Sequence, residues 1–156
     1  MLKQNRVTTT MLDYLHLHNS ISIPKAGNFG LPRSQMPQIE SKYVPELLRF
    51  LRRKGVKVVK SEVATKSIML VQNEYNRAKV ATLMDRMRHH DDKLEPIFLS
   101  NDGFVLDGSH RLLAKYNLDR DSTIPAYVLD IPASNAVNLL NTFPNIRHRS
   151  SSDRHI

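Results

Sequence analysis

The chain has 156 residues, 40% hydrophobic and 24% charged, a composition typical of one globular domain that can bury its own core. It contains no cysteine, which excludes disulfides and thiolate chemistry. No apolar run approaches the roughly 18 residues of a membrane span, and the first residues lack the apolar core of a signal peptide. We therefore expect a cytoplasmic protein that does not cross a membrane.

The formal net charge of +8 is unevenly placed along the chain. Residues 1–60 hold 11 Lys and Arg against 3 Asp and Glu, whereas residues 61–156 hold 12 of each. A basic surface on one part of a protein raises the local concentration of phosphate groups and suggests nucleic acid or another polyanion as a partner. We expect a basic N-terminal extension over residues 1–60, a core over 61–144 and a flexible basic tail over 145–156.

The first 40 residues contain few strong structural signals. Three threonines precede apolar positions that predict a short helix from Thr10 to His18. The alternation over residues 21–23 indicates a short strand, and the prolines and glycines of residues 24–37 indicate a loop.

The first long amphipathic segment runs from Ser41 to Lys54 and is closed by Gly55, a pattern typical of a helix. A strand with outward lysines is predicted over residues 56–60. Five basic side chains surround this helix and strand: Arg49, Arg52, Arg53, Lys54 and Lys57. They could bind the phosphate backbone of DNA, or they could simply solvate one helix face.

The next elements are a strand over residues 67–71 and a helix from Glu74 to about His89. Lys79 and Thr82 are three residues apart and share one face of that helix. Glu74 at its N-terminus could orient a hydroxyl or water or hold Mg²⁺, or it could only interact with the helix dipole.

The most informative stretch is Glu95–Tyr116. Two short apolar runs flank Asn101-Asp102-Gly103, which is a strong hairpin signal. Asp107-Gly108-Ser109-His110-Arg111 then leads from the second strand into a helix. Backbone amides at a helix N-terminus favour an anion, Arg111 can donate a fork of hydrogen bonds to phosphate, and His110 can add a donor or move a proton.

A last strand over residues 122–129 and a last helix from Ala133 to Phe143, stopped by Pro144, complete the predicted elements. Together these elements predict an α+β fold, a single domain with a small mixed sheet and helices around it.

The Gly-x-His-Arg turn between a strand and a helix resembles the nucleotide-binding signature of the ParB/sulfiredoxin superfamily. Lys79-Val80-Ala81-Thr82 resembles the Lys-Val-x-Ser step that precedes the hairpin in sulfiredoxins, where its Lys and Ser contact the nucleotide. The segment Met36-Pro37-Gln38-Ile39 resembles one found in ParB-like proteins of tailed phages. Sulfiredoxins carry a reactive Cys where this chain has Ser109, so repair of sulfinic acids is not expected.

The resemblance implies an enzyme that binds ATP or another nucleoside triphosphate with Mg²⁺ and acts as a phosphotransferase (kinase) or hydrolase. The resemblance to proteins of tailed phages implies a phage-encoded origin. The residues expected to bind the nucleotide are Gly108, Ser109, His110, Arg111, Lys79 and Thr82. Those expected to take part in catalysis are Asp107, His110 and Glu74. Those expected to contact the substrate are Arg33, Gln35, Gln38 and Gln72. Two alternatives remain open: a ParB-like DNA-binding protein or nuclease that uses the basic residues, and a regulator that only senses a nucleotide.

Overall fold

The computed structural model describes residues 21–25, 35–71, 75–90 and 94–148, with the backbone alone at 90, 147 and 148. The predicted helix at residues 10–18 and most of the predicted loop at 24–37 lie outside these ranges. The described chain belongs to the α+β class, as the sequence predicted.

Four α-helices lie in the described ranges: α1 Val44–Arg53, α2 Arg77–His90, α3 Ser109–Leu118 and α4 Ala133–Leu140. The strands are β1 Pro37–Gln38, β2 Val58–Ala64, β3 Met69–Leu70, β4 Ile97–Leu99, β5 Phe104–Asp107, β6 Thr123–Leu129 and β7 Arg147–His148. Short 3₁₀ turns at Ser41–Tyr43 and Thr65–Ser67 precede α1 and follow β2.

Five of the strands form one mixed sheet in the order β2-β6-β4-β5-β3. The β2–β6 and β4–β5 pairs are antiparallel, whereas β4–β6 and β3–β5 are parallel. The β4–β5 hairpin turns at Asn101–Gly103, where Gly103 has a φ of 90° and Ser100 pairs with Phe104 through the backbone. This hairpin is the one that the sequence predicted.

Helices cover both faces of the sheet, because alternate side chains of each strand point to opposite faces. Ile97 and Leu99 pack with α2 and α3 on one face, while Phe98 packs with α1 and α4 on the other. The same alternation separates Val105 from Leu106 in β5. Each face therefore has its own buried apolar cluster around one shared sheet.

Three expectations differ from the structure. The boundary at residue 60 lies inside β2, which pairs with β6 over Val58–Ala64 and so belongs to the main sheet. Part of the tail expected to be flexible forms β7, which pairs with β1. The predicted strand at residues 21–23 is absent, because the backbone of Ser22 hydrogen-bonds at 3.0 Å to both ends of the Asn117 side-chain amide instead of a neighbouring strand.

Within the described ranges, no helix is long and apolar enough to cross a membrane.

Candidate functional site

The turn between β5 and α3 requires glycine at position 108. Gly108 has a φ of 105°, which L-residues with a side chain rarely adopt. A Cβ atom there would lie 2.5 Å from Ile97 Cγ2 and 2.9 Å from a guanidinium nitrogen of Arg111. Gly108 is also the N-cap of α3, and no side chain caps this helix at that residue. The chain thus enters α3 through a tight turn that presents the helix N-terminus without a capping group.

Arg111 connects this turn to the start of β4. Its guanidinium donates to the backbone carbonyls of Glu95 at 2.7 Å and Pro96 at 3.3 Å, and to Asp107 Oδ2 at 3.2 Å. The side chain is 22% exposed. A guanidinium group has five N–H donors, and these three hydrogen bonds do not use all of them. Arg111 can therefore donate to an anion while it also stabilises the turn.

Asp107 is a largely buried acid at the turn. Its carboxylate accepts from Arg111 and, through Oδ1, from the backbone N–H of Ile39 at 3.4 Å. Burial raises the pKa of the Asp107 carboxyl above its ordinary value, and the nearby charges of Arg111 and Lys79 oppose that rise. A carboxyl group whose pKa is raised in this way can accept a proton closer to neutral pH.

His110 joins the N-termini of two helices. The backbone N–H of Asn76 donates to His110 Nε2 at 2.9 Å, so this ring nitrogen is an acceptor and carries no proton. Asn76 in turn accepts the backbone N–H of Lys79 at 2.9 Å through its side-chain oxygen, as an N-cap residue does. Because of this chain of bonds, the N-termini of α2 and α3 lie side by side.

The two residues of the predicted Lys-Val-x-Thr step are placed differently. Lys79 lies in the first turn of α2, where its backbone N–H donates to Asn76, and its charge opposes the rise of the Asp107 pKa. Thr82 is exposed, and its hydroxyl donates to the backbone carbonyl of Ala78 at 2.9 Å. Among the described hydrogen bonds, none joins Thr82 to the turn. The structure therefore brings Lys79 to the predicted site and leaves Thr82 one helical turn away.

The segment expected to contact the substrate passes beside the turn. Gln38 in β1 is immediately followed by Ile39, whose N–H meets Asp107. Gln35 is exposed, and its backbone carbonyl accepts a weak bond of 3.4 Å from Asn141. The remaining predicted residues of the site lie outside the described ranges: Arg33, Gln72 and Glu74.

The predicted DNA-binding residues lie on the face of the sheet that α1 covers. Arg49, Arg52, Arg53, Lys54 and Lys57 are all exposed. In the described part of the chain none of these five forms an ion pair, although Lys54 lies over the ring of Phe50 at 5.6 Å. An open groove of about 320 Å³ adjoins them, lined by Leu48, Arg52, Val56, Lys57, Val58, Lys60 and Tyr127.

Two contributors to the site were not predicted from the sequence. Asn76 could have been found, because asparagine directly before a helical stretch is a favoured N-cap. The Ile39 amide has no local signal, since its meeting with Asp107 spans 68 residues of chain.

Searches against protein-family models and against curated proteins find no match to this chain.

Proposed function

We propose that the chain is a nucleoside triphosphate-binding enzyme, a phosphotransferase or hydrolase, with the phosphates bound where α2 and α3 begin. The observation that carries this proposal is the 2.9 Å hydrogen bond between Asn76 and His110, which sets two helix N-termini side by side. Helix N-termini favour anions through their N–H groups and dipoles, and two together favour a multiply charged phosphate chain. The resemblance of the turn and of Lys79-Val80-Ala81-Thr82 to the ParB/sulfiredoxin signature supports the same site.

The cations near the turn fit this role. Arg111 donates to Asp107 Oδ2 at 3.2 Å, and the charges of both Arg111 and Lys79 oppose the rise of the Asp107 pKa that burial causes. A phosphate group beside these cations would receive charged hydrogen bonds, each contributing about 1.5–3 kcal/mol. Gly108 permits the φ of 105° and leaves the room that Ile97 and Arg111 occupy, so it holds Arg111 close to the start of α3.

Asp107 is the proposed general base. In a transfer reaction the oxygen of an acceptor hydroxyl, or of water, forms a bond to the γ-phosphorus, and the bond between that phosphorus and the bridging oxygen breaks. Asp107 takes the proton that the attacking oxygen loses. His110 has a positioning role in this scheme, because its Nε2 holds Asn76.

Mg²⁺ fits the site in a limited way. Within the described residues, no three His, Asp or Glu side chains converge on one point. Mg²⁺ is commonly held by one or two carboxylates together with substrate phosphates. Because Asp107 is the proposed base and is bonded to Arg111, the ion would be held here mainly by the phosphates themselves. When bound, the ion would neutralise charge on the transferred phosphoryl group.

A nucleic-acid-binding role is the second candidate, favoured by the exposed cations around the groove between α1 and β2. These side chains have no acidic partner in the described structure, so they are available to phosphate groups. The two proposals are compatible, since a DNA-acting enzyme could bind DNA there and a nucleotide at the turn. We place this activity in the cytoplasm, or in the host cytoplasm if the protein is phage-encoded.

The test is a thermal-shift panel of nucleoside triphosphates with and without Mg²⁺, followed by calorimetry and product analysis for each nucleotide that binds. Lys79→Ala should weaken binding by roughly 10-fold or more, because it removes a cation from the phosphate site. Arg86→Ala on the same helix is the matched control, since Arg86 is exposed and makes no described contact with the turn. If no nucleotide binds, or if both variants bind equally well, the proposed site is wrong.

A further inference from the structure

The strand β2 forms one edge of the five-stranded sheet and offers its outer side for pairing. It is seven residues long and pairs with β6 on its inner side. No strand in the described part of the chain pairs with its outer side. At the other edge, by contrast, β3 has two residues and Lys25 bridges to Met69. A long open strand edge is a template for a further strand.

The backbone groups that point outward can be read from the β2–β6 ladder. Lys57 accepts from Asp130, and Thr65 donates to Ser122, so the odd-numbered residues of this segment exchange hydrogen bonds with β6. The even-numbered residues therefore direct their N–H and C=O groups to the outside. These are Val58, Lys60, Glu62 and Ala64.

Side chains on the outer strand are arranged so that the strand complements itself. Suppose a second copy of β2 runs antiparallel to the first, with Ser61 opposite the partner's Ser61. Lys60 then lies opposite the partner's Glu62, and Glu62 lies opposite the partner's Lys60. In both pairs the N–H and C=O groups that point away from β6 form the hydrogen bonds between the two copies. On the other face of the sheet, the side chain of Val59, which is 51% exposed, lies opposite the partner's Val63.

The charges also select this register. Only even-numbered residues can pair, so the nearest alternative registers shift the partner by two residues. One alternative sets Lys60 against the partner's Lys60, and the other sets Glu62 against the partner's Glu62. Like charges directly opposite each other destabilise a sheet, whereas opposite charges stabilise it. The register centred on Ser61 is the one among these three that pairs every charge with its opposite.

We propose that two copies of this chain associate through β2 in that register, and so form one continuous ten-stranded sheet about a two-fold axis at Ser61. Four residue pairs would exchange up to about eight backbone hydrogen bonds. Such an interface is isologous, because the same strand is used on both sides. It lies apart from the turn at residues 107–111, so the inference stands independently of the proposed nucleotide site, although Val58 and Lys60 also line the groove assigned to nucleic acid.

The first experiment measures mass against concentration by sedimentation. The native chain of 17.9 kDa should approach about 36 kDa as its concentration rises, twice the monomer mass. Lys60→Glu and Glu62→Lys should each weaken association by about tenfold or more, because each replaces two attractive pairs with two repulsive ones. An equimolar mixture of these two variants should form a heterodimer, since every facing pair is again oppositely charged.

The second experiment fixes the register with a cross-link. The chain has no cysteine, so Ser61→Cys introduces a single thiol. Facing residues that are not hydrogen-bonded to each other have Cα atoms about 4.5 Å apart, which is within the range of a disulfide. Mild oxidation should give a covalent dimer in high yield. Ser134→Cys, exposed on α4, is the control that reports random collision.

The outcomes separate the proposal from its alternatives. A native chain that stays monomeric at high concentration overturns it. So does a dimer that both charge variants keep, because a different surface then holds it. If Ser61→Cys cross-links no faster than Ser134→Cys, the register is wrong. Circular dichroism of each variant tests whether the fold is kept, and only a folded variant counts, so that lost association cannot be attributed to unfolding.

Discussion

The turn at residues 107–111 and the basic surface around α1 and β2 use charge in opposite ways. At the turn, Arg111 and Asp107 are mostly buried, bonded to each other and to backbone groups. On the basic surface, Arg49, Arg52 and Arg53 are exposed and form no ion pair in the described structure. A cluster of exposed charges shows where a polyanion would be attracted. A site with defined geometry needs charged groups whose positions are fixed by hydrogen bonds to neighbouring groups.

This contrast has an energetic side. A buried charge that loses its partner destabilises the folded state. Changes at the turn should therefore alter the stability of the fold as well as binding. Exposed charges are screened and mobile, so changes on the basic surface should alter long-range attraction and leave stability nearly unchanged. The free energy of unfolding should therefore respond most to changes at the turn and least to changes on the basic surface.

Gly108→Ala should give the largest loss. The new Cβ would lie 2.5 Å from Ile97 Cγ2 on a backbone with a φ of 105°. Left-handed strain costs about 1–2 kcal/mol and overpacking adds about 1–3 kcal/mol, so urea denaturation should show a loss of roughly 2–5 kcal/mol.

Gly55→Ala is the matched control for this change. Gly55 also has a positive φ, of 81°, but nothing lies within 4 Å of its added Cβ. It should lose only the backbone part, about 1–2 kcal/mol. Equal losses at both positions would show that the contact with Ile97 is unimportant.

Arg111→Ala should come next, with a loss of about 1.5–3 kcal/mol at neutral pH. The variant leaves the Asp107 carboxylate without its charged partner and frees two backbone carbonyls. In an Asp107→Asn background the same change should cost less, because no buried carboxylate is stranded. Urea denaturation of the four proteins gives the coupling energy, and additive losses would show that the pair does not interact.

This prediction differs from what the sequence alone indicates for Arg111. The motif places Arg111 at a helix N-terminus, where a role in phosphate binding follows without any cost to the fold. Its contacts with Glu95 and Pro96 depend on how β4 lies beside the turn, which no local pattern encodes. The hairpin at Asn101–Gly103 was predictable because a few adjacent residues determine it.

The same reason explains the other differences. The β1–β7 pair joins residues more than 100 positions apart, so the sequence of either strand does not reveal its partner. The α2 start was predicted at Glu74, while the structure begins the helix at Arg77 after the Asn76 cap. Local signals identified strands, helices and the Gly108 turn, and long-range packing decided which groups meet there.

The pH dependence of stability should reveal the burial of Asp107. The pKa of Asp107 is raised above the ordinary 3.8, because the folded protein favours the protonated carboxyl group. The stability that this preference contributes is fully present below pH 3.8 and is lost as pH rises through the folded pKa. Asp107→Asn cannot ionise and escapes this loss. The stability of the native chain relative to the variant should therefore fall from about pH 4 towards neutral pH, by roughly 1.4 kcal/mol for each unit by which the pKa is raised.

Urea denaturation of both proteins across that pH range measures the difference between their free energies of unfolding. The contributions of the other titrating groups cancel in this difference, because both proteins share those groups. A difference that instead grows with pH would mean that Arg111 and Lys79 outweigh burial and that the pKa of Asp107 is lowered. Asp107 would then be less suited to act as a base near neutral pH.

The smallest effect on stability is expected for the triple change Arg49→Glu, Arg52→Glu and Arg53→Glu. These exposed side chains lack described ion pairs, so each substitution should change stability by at most about 0.5 kcal/mol.

The effect of the triple change on nucleic-acid binding should be large if DNA is a partner, because each neutralised phosphate contributes about −0.9 to the slope of log affinity against log salt. The variant should lose DNA binding at low salt and keep nucleotide binding at the turn, whereas Lys79→Ala should do the reverse. Loss of both activities in both variants would show that the two regions form one site. If the native chain does not bind DNA at low salt, the basic surface has no nucleic-acid role, and a phosphotransferase or hydrolase of small molecules is the function that remains.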